Sequence, residues 1–277
     1  MRPEQTKSPQ YVMGRTAEET LRLQMQARLF DPSTRRLFED AGIAPGMKVL
    51  ELGSGAGDVA LLAGDLVGRA GRVIGVDNNP EILNTARRRV QAAGATHVTF
   101  INGAIDELEL ADDFDAIVGR LVLIYLADPA SALRKLMPRL QSGGIVAFQE
   151  IDWSSGPVAW PPSPLLEQVW QWIPEMFRRA GLNPHVGLSL HNTLVDAGLP
   201  IPSMRLEAPV GGGPDFAGYD YFAAGLRSNL PQIVRFGVAT DDEVDVETFA
   251  ERLRTEVVER NGTIALPVFV GAWARKG

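Results

Sequence analysis

The residues best suited to chemistry stand together at Val49-Leu50-Glu51-Leu52-Gly53-Ser54-Gly55-Ala56-Gly57, an apolar run that enters a turn with glycine at every second position. Glycine tolerates positive φ, and its missing Cβ lets a ligand press on the backbone. A helix after such a turn also offers N–H groups that have no intrahelical partner. The next apolar run ends at Asp77, about twenty residues past the last glycine, where a carboxylate can accept both hydroxyls of a ribose. Dinucleotide-binding enzymes share this logic but space their glycines Gly-x-Gly-x-x-Gly, whereas this turn reads Gly-x-Gly-x-Gly with Glu51 two residues upstream. A glycine turn that only tightens a strand-to-helix connection leaves Asp77 unexplained.

Elements that could position this turn follow from periodicity. From Met47 short apolar runs alternate with helical patterns: VLEL at 49–52, VIGV at 73–76, VTFI at 98–101, AIVG at 116–119 and IVAF at 145–148. Alternation of this kind predicts a parallel sheet with right-handed crossovers. Asn79-Pro80 and Asp128-Pro129 each place an N-cap before a first-turn proline, and Gly94 and Gly143 are expected to end the two helices. Ile82, Leu83, Ala86 and Val90 form the apolar stripe of the first, and Leu133, Leu136, Met137 and Leu140 that of the second. Upstream, Thr16 and Glu19 make a capping box, and Asp31-Pro32 is expected to restart a second helix that Gly42 stops.

Beyond Glu150 the rhythm breaks. Residues 153–203 precede a strand candidate at 204–208, and residues 212–262 precede a last one at 268–274. Connections of such length rarely lack structure of their own. Ser163-Pro164 starts a helix lined by Leu166, Val169, Trp170, Ile173 and Phe177, with Pro174 expected to kink it. Phe216, Tyr219, Phe222 and Leu226 share one later face, and Val246, Phe249, Leu253 and Val257 another. The chain divides into an arm (1–45), a core (46–152), a lid insertion (153–203) and a closing segment (204–277) with a second insertion at 212–262.

Composition excludes several classes of function. The 277 residues are 45% hydrophobic and 22% charged, which suits a large buried core. There are 27 basic and 34 acidic side chains, a net charge of −7, and such a field repels nucleic acid. Cysteine is absent, which removes disulfides, thiolate nucleophiles and cysteine metal sites. With only His97, His185 and His191, no metal centre is expected. No apolar run approaches the ~18 residues of a membrane span, and the opening residues carry no signal-like core. The expectation is a cytoplasmic protein, monomeric or homodimeric, that binds neither membrane nor nucleic acid.

In their order along the chain these motifs resemble the class I S-adenosylmethionine-dependent methyltransferases, near the ubiquinone/menaquinone C-methyltransferases and small natural-product methyltransferases. The resemblance spans about Gly46 to Trp153. VLELGSGAG resembles the first motif, VIGVDNNPEIL the acidic second and FINGAIDEL the third. FDAIVGRLVLIYLADPASALRKLMPRLQSGGIVAFQEIDW resembles the fourth strand, its helix and the fifth strand. It implies a Rossmann-like, doubly wound, mostly parallel seven-stranded α/β sheet with an antiparallel last strand, plus a helical lid. It also implies S-adenosylmethionine as cofactor and a small-molecule methyl acceptor. The alternatives it leaves are cofactor binding without catalysis and an RNA acceptor.

Carried over by residue, the resemblance implies that Glu51 and the backbone of Gly53 and Gly55 hold the cofactor's methionine part and that Asp77 holds its ribose. Asn78 would lie beside the adenosine, with Ala104 and Ile105 flanking the adenine. Arg120, where many relatives carry Asn, would sit beneath the amino-acid end and could face its carboxylate. Relatives often have an acidic residue at the position of Ala104, and Asp106 is the candidate substitute. The arm resembles one that closes over the cofactor, which makes Tyr11, Arg15, Arg22 and Gln26 candidate contacts. A surface helix packed by Leu21, Met25 and Leu29 is the other reading.

Methyl transfer from a sulfonium is an in-line displacement that chiefly requires alignment and exclusion of water. A base is needed only if the acceptor must lose a proton. Glu150 and Asp152 follow the fifth strand, and Glu150 is the expected acceptor-orienting or basic group, the other reading being a solvated strand-end carboxylate. His185 and His191 lie in the first insertion; His191 is the expected second catalytic residue because imidazole titrates near neutral pH. His97, just before a strand, is expected at the surface. Trp153, Trp160, Trp170, Trp172, Tyr219, Tyr221 and Phe222 could wall an apolar acceptor pocket or simply pack the lid.

Overall fold

The computed structural model describes residues 17–108, 110 and 113–277. Tyr11, Arg15 and Thr16 lie outside them, as do the side chains of Glu19 and Arg22. The order of elements is α1 (Ala17–Ala41), β1 (Lys48–Leu52), α2 (Asp58–Val67), β2 (Arg72–Asp77), α3 (Pro80–Ala92), β3 (Val98–Asn102), β4 (Phe114–Arg120), α4 (Pro129–Leu136), β5 (Leu140–Asp152), β6 (Ala159–Trp160), α5 (Pro164–Arg179), α6 (Val186–Asp196), β7 (Ser203–Glu207), β8 (Val210–Gly211), α7 (Gly218–Arg235), α8 (Asp241–Val244), α9 (Val246–Glu259), β9 (Thr263–Ala265) and β10 (Val268–Arg275).

Seven strands form one sheet in the order β3-β2-β1-β4-β5-β10-β7. The β2–β1, β1–β4, β4–β5 and β2–β3 pairs are parallel, and β10 runs antiparallel to both β5 and β7. This is the Rossmann-like, doubly wound sheet with an antiparallel last strand that the motifs imply. Its central strands are apolar on both faces, as strands covered by helices on two sides must be. Leu50, Leu52, Ile117 and Phe148 bury into one layer, and Val49, Val118 and Ala147 into the other, against α2 and the C-terminal half of α1.

The caps expected at Asn79, Asp128 and Ser163 are in place. Asn79 accepts from the Glu81 and Ile82 N–H groups, Asp128 from Ser131 and Ser163 from Leu166. Three expectations are corrected. Asp31-Pro32 does not restart a helix, because α1 runs unbroken through Pro32 and Asp31 is drawn to Arg120 instead of capping. Gly143, at φ +72°, lies inside β5 rather than at a helix end. In the segment read as a lid insertion, α6 packs against β5, β10 and α4 and so covers the sheet.

The later apolar faces bury as expected. Tyr219, Phe222 and Leu226 of α7 and Val246, Phe249, Leu253 and Val257 of α9 are all in the core. Helix α7 also packs on α5 and α1, and a three-stranded sheet, β6-β9-β8, joins the two excursions.

Candidate cofactor and acceptor site

The site is built where β1, β2 and β4 end. Gly53, Gly55 and Gly57 adopt φ of +70°, +50° and +84°, a region that L side chains enter only at a cost. At Gly53 a Cβ would stand 2.5 Å from a Val122 methyl, so here glycine also makes room for the segment after β4. Asp77 braces the turn. Its Oδ2 accepts the Gly55 N–H at 2.9 Å and its Oδ1 the Asn79 N–H at 2.9 Å. The Asp77 carbonyl accepts from Gly103 N–H and the Asn102 amide, which draws the loop after β3 to the same place. That loop presents half-buried Ala104 and Ile105, while Asn78 is exposed beside Asp77.

Glu51 lies beneath the turn, 1% exposed, and accepts a short hydrogen bond from the Ser54 hydroxyl. Burial pushes its carboxyl up to about 8, with the charge of Asp77 adding to the rise and Ser54 and Arg120 opposing it. Arg120, also buried, donates to Asp31 Oδ1 at 2.8 Å and Thr34 Oγ1 at 2.9 Å. Burial raises the Asp31 carboxyl, and the Arg120 guanidinium works against it. Thr34 donates to Gln149 Oε1 at 2.6 Å, and Gln149 donates to Ser33 at 3.1 Å. A polar seam thus ties α1 to the ends of β4 and β5.

Glu150 sits neither at an open mouth nor in solvent. It is fully buried, and its Oε1 accepts the Val122 and Leu123 N–H groups at 2.9 and 2.8 Å. Burial pushes its carboxyl up to about 7, against these backbone bonds. Asp152 accepts from Ser154 and Leu188 N–H groups and so caps the first turn of α6. His191 is exposed on α6, and its Nδ1 meets Asn192 Oδ1 at 3.1 Å. His185 is instead brought to the loop after β5, its Nδ1 2.7 Å from Ser154 Oγ. His97 is half-buried, its Nε2 3.0 Å from the Gly64 carbonyl. Among the described residues no group of acidic and histidine side chains is placed to hold a metal ion, and no helix is long and apolar enough to cross a membrane.

Aromatic side chains, buried except for half-buried Trp170, form a chain of ring contacts within the core. Trp153 meets Trp170 edge-on at 4.9 Å, and contacts continue through Phe222, Tyr221 and Phe30 to Phe269, the last pair stacked at 4.0 Å. Trp160, 78% exposed, stands apart from it. Gln26 is buried in α1. The Asp31–Arg120 and Ser154–His185 pairs carry no sequence signal, since each joins segments far apart in the chain.

The sequence matches a family model described as a methyltransferase domain over residues 43–181, half of the chain. The protein belongs to the class I S-adenosylmethionine-dependent methyltransferases, whose cofactor is S-adenosylmethionine. Among curated proteins it is 33% identical over 120 residues to a ubiquinone/menaquinone biosynthesis C-methyltransferase of Vibrio vulnificus, covering 43% of this chain and 46% of that one. It is 29% identical over 161 residues to the aklanonic acid methyltransferase of a Streptomyces species, covering 55% of this chain and 72% of that one. Several other curated relatives are matched over about half their length or less. The fold is shared with a methyltransferase from Aquifex aeolicus at TM-score 0.50 and 21% identity, over 70% of this chain and 90% of that chain.

Proposed function

We propose that the protein transfers a methyl group from S-adenosylmethionine to a small-molecule acceptor. The observation that carries this reading is the glycine turn locked to Asp77, with Glu51 buried beneath it. Bound there, the cofactor supplies a methyl group already activated on a sulfonium. Asp77 stands at the end of β2 beside the glycine turn, where a carboxylate accepts the two hydroxyls of a ribose. Glu51 and Arg120 lie at the methionine end, where a bound cationic group would favour the ionised form of Glu51. Asn78 sits beside the adenosine, and Ala104 and Ile105 flank the adenine.

The aromatic chain from Trp153 to Phe30 suits an apolar acceptor and the exclusion of water. The small-molecule acceptors named for the quinone-pathway and aklanonic acid relatives, together with the net charge of −7, favour a metabolite over RNA. If the acceptor must lose a proton, His185 is better placed than His191, because Ser154 fixes its Nδ1 and leaves Nε2 for chemistry. Incubating the protein with labelled S-adenosylmethionine and fractionated metabolite pools tests the reading. Labelled product together with S-adenosylhomocysteine is expected; cofactor binding without turnover in any pool would make it a binding protein.

A further inference from the structure

Glu150 is fully buried at the end of β5, and the proposed chemistry gives it no task. What it does is held in its bonds. Its Oε1 takes the N–H groups of Val122 and Leu123, at the start of a short 3-10 turn, Leu123–Tyr125. The residue before it in β5, Gln149, accepts the Leu121 N–H through its carbonyl at 2.9 Å. Two successive residues of β5 therefore grip three successive N–H groups of the segment after β4. That segment needs gripping, because Leu121 adopts φ +55°, a conformation that a non-glycine residue keeps only where its surroundings enforce it.

The gripped segment reaches the cofactor turn directly. Val122 lies over Gly53 so closely that a Cβ there would clash with both its Cβ and a methyl. Arg120, the residue before Leu121, carries the guanidinium that meets Asp31 and Thr34. We infer that Glu150 is a positioning residue for the cofactor site, its carboxylate fixing the Leu121–Tyr125 segment so that Val122 packs on the glycine turn. The inference rests on the cofactor reading above. Glu150 acts through the segment it holds and takes no proton from the acceptor.

Length and charge can be varied separately. Glu150→Gln keeps the length and a carbonyl oxygen able to accept both N–H groups. Glu150→Asp keeps the charge and withdraws the oxygens by one methylene, about 1.5 Å. S-Adenosylhomocysteine is titrated calorimetrically into wild type and both variants, and amide hydrogen exchange is read at residues 121–125 of the same samples. The Gln variant should bind within about threefold of wild type with unchanged exchange, and the Asp variant about tenfold or more weaker with faster exchange at Val122 and Leu123. An Asp variant that binds like wild type, or a Gln variant as weak as the Asp variant, overturns the inference. If the Asp variant does not fold, Val122→Ala removes the contact with Gly53 and leaves Glu150 in place. It should weaken binding to a similar degree, and unchanged binding overturns the inference. A wild-type protein that does not bind the ligand removes the cofactor reading and this inference with it, whereas the variant outcomes leave that reading standing.

Discussion

Asp77 does two jobs with one carboxylate, since it braces the glycine turn through Gly55 and starts the α3 cap region through Asn79. Asp77→Ala removes charge-assisted bonds worth about 1.5–3 kcal/mol. S-Adenosylhomocysteine affinity should fall about tenfold or more by calorimetry; unchanged affinity would place the nucleoside elsewhere. Glu51 and Glu150 face the opposite problem. Both carboxyls are raised by burial, from an ordinary 4.5 to about 8 and about 7, so the folded protein holds protons that the unfolded chain has released. Stability should therefore fall as pH rises from about 4.5 towards 8 and level off above that. Glu51→Gln removes the cost of a buried charge. Its melting temperature should exceed that of wild type at pH 8 by on the order of 5 °C and match it near pH 4; equal melting at both would mean that Glu51 carries no such burden. Asp77 and the glycines were legible in the sequence because their spacing alone specifies a turn and a strand end. The tasks of Glu150 and His185 were not, because they depend on which backbone or hydroxyl group comes within 3 Å after folding.

Helix α1 shows why elements are harder to read than motifs. Asp31-Pro32 has the form of an N-cap followed by a first-turn proline, yet the helix continues through it. Asp31 turns to Arg120, and the hydroxyls of Ser33 and Thr34 bond the Phe30 carbonyl, so a tertiary partner outweighs the local cap. Thr34 is the centre of this seam, fully buried and joined to both Arg120 and Gln149. Thr34→Val keeps the shape and deletes the hydroxyl, leaving a buried cation and an amide short of a partner. Stability should drop by about 1–3 kcal/mol, read as a lower denaturant midpoint at unchanged slope. A midpoint equal to wild type would show that the seam contributes nothing net. Strands were legible where both faces are apolar, as at 49–52 and 73–76. The first residues of β5, including exposed Gln141 to Gly143, carry no apolar pattern and were missed, as were the two- and three-residue strands of the small sheet.

At the scale of the whole molecule, the helices divide between those that cover the sheet's faces and those that pack on one another. Helix α6 lies on β5 and β10, whereas α5 and α7 pack on each other and carry Trp170, Tyr221 and Phe222. Adding cofactor should slow hydrogen exchange in α5 and α7 and leave α6 unchanged; equal protection with and without ligand would show that α5 and α7 do not move. The placement of β10 has a further consequence, for the order in which the protein can be made. Strand β10 occupies an interior slot between β5 and the edge strand β7, so β7 has no neighbour to pair with until residues 268–275 are available. The same strand receives Leu37 against Gly271 and Phe30 against Phe269, and its Arg275 bonds the Ala41 carbonyl at the end of α1. A nascent chain can therefore assemble β1 to β5 and seat α1 on them through Arg120 and Gln149 before β10 is available, whereas the contacts of Leu37, Phe30 and Ala41 with β10 form only when that strand enters the sheet.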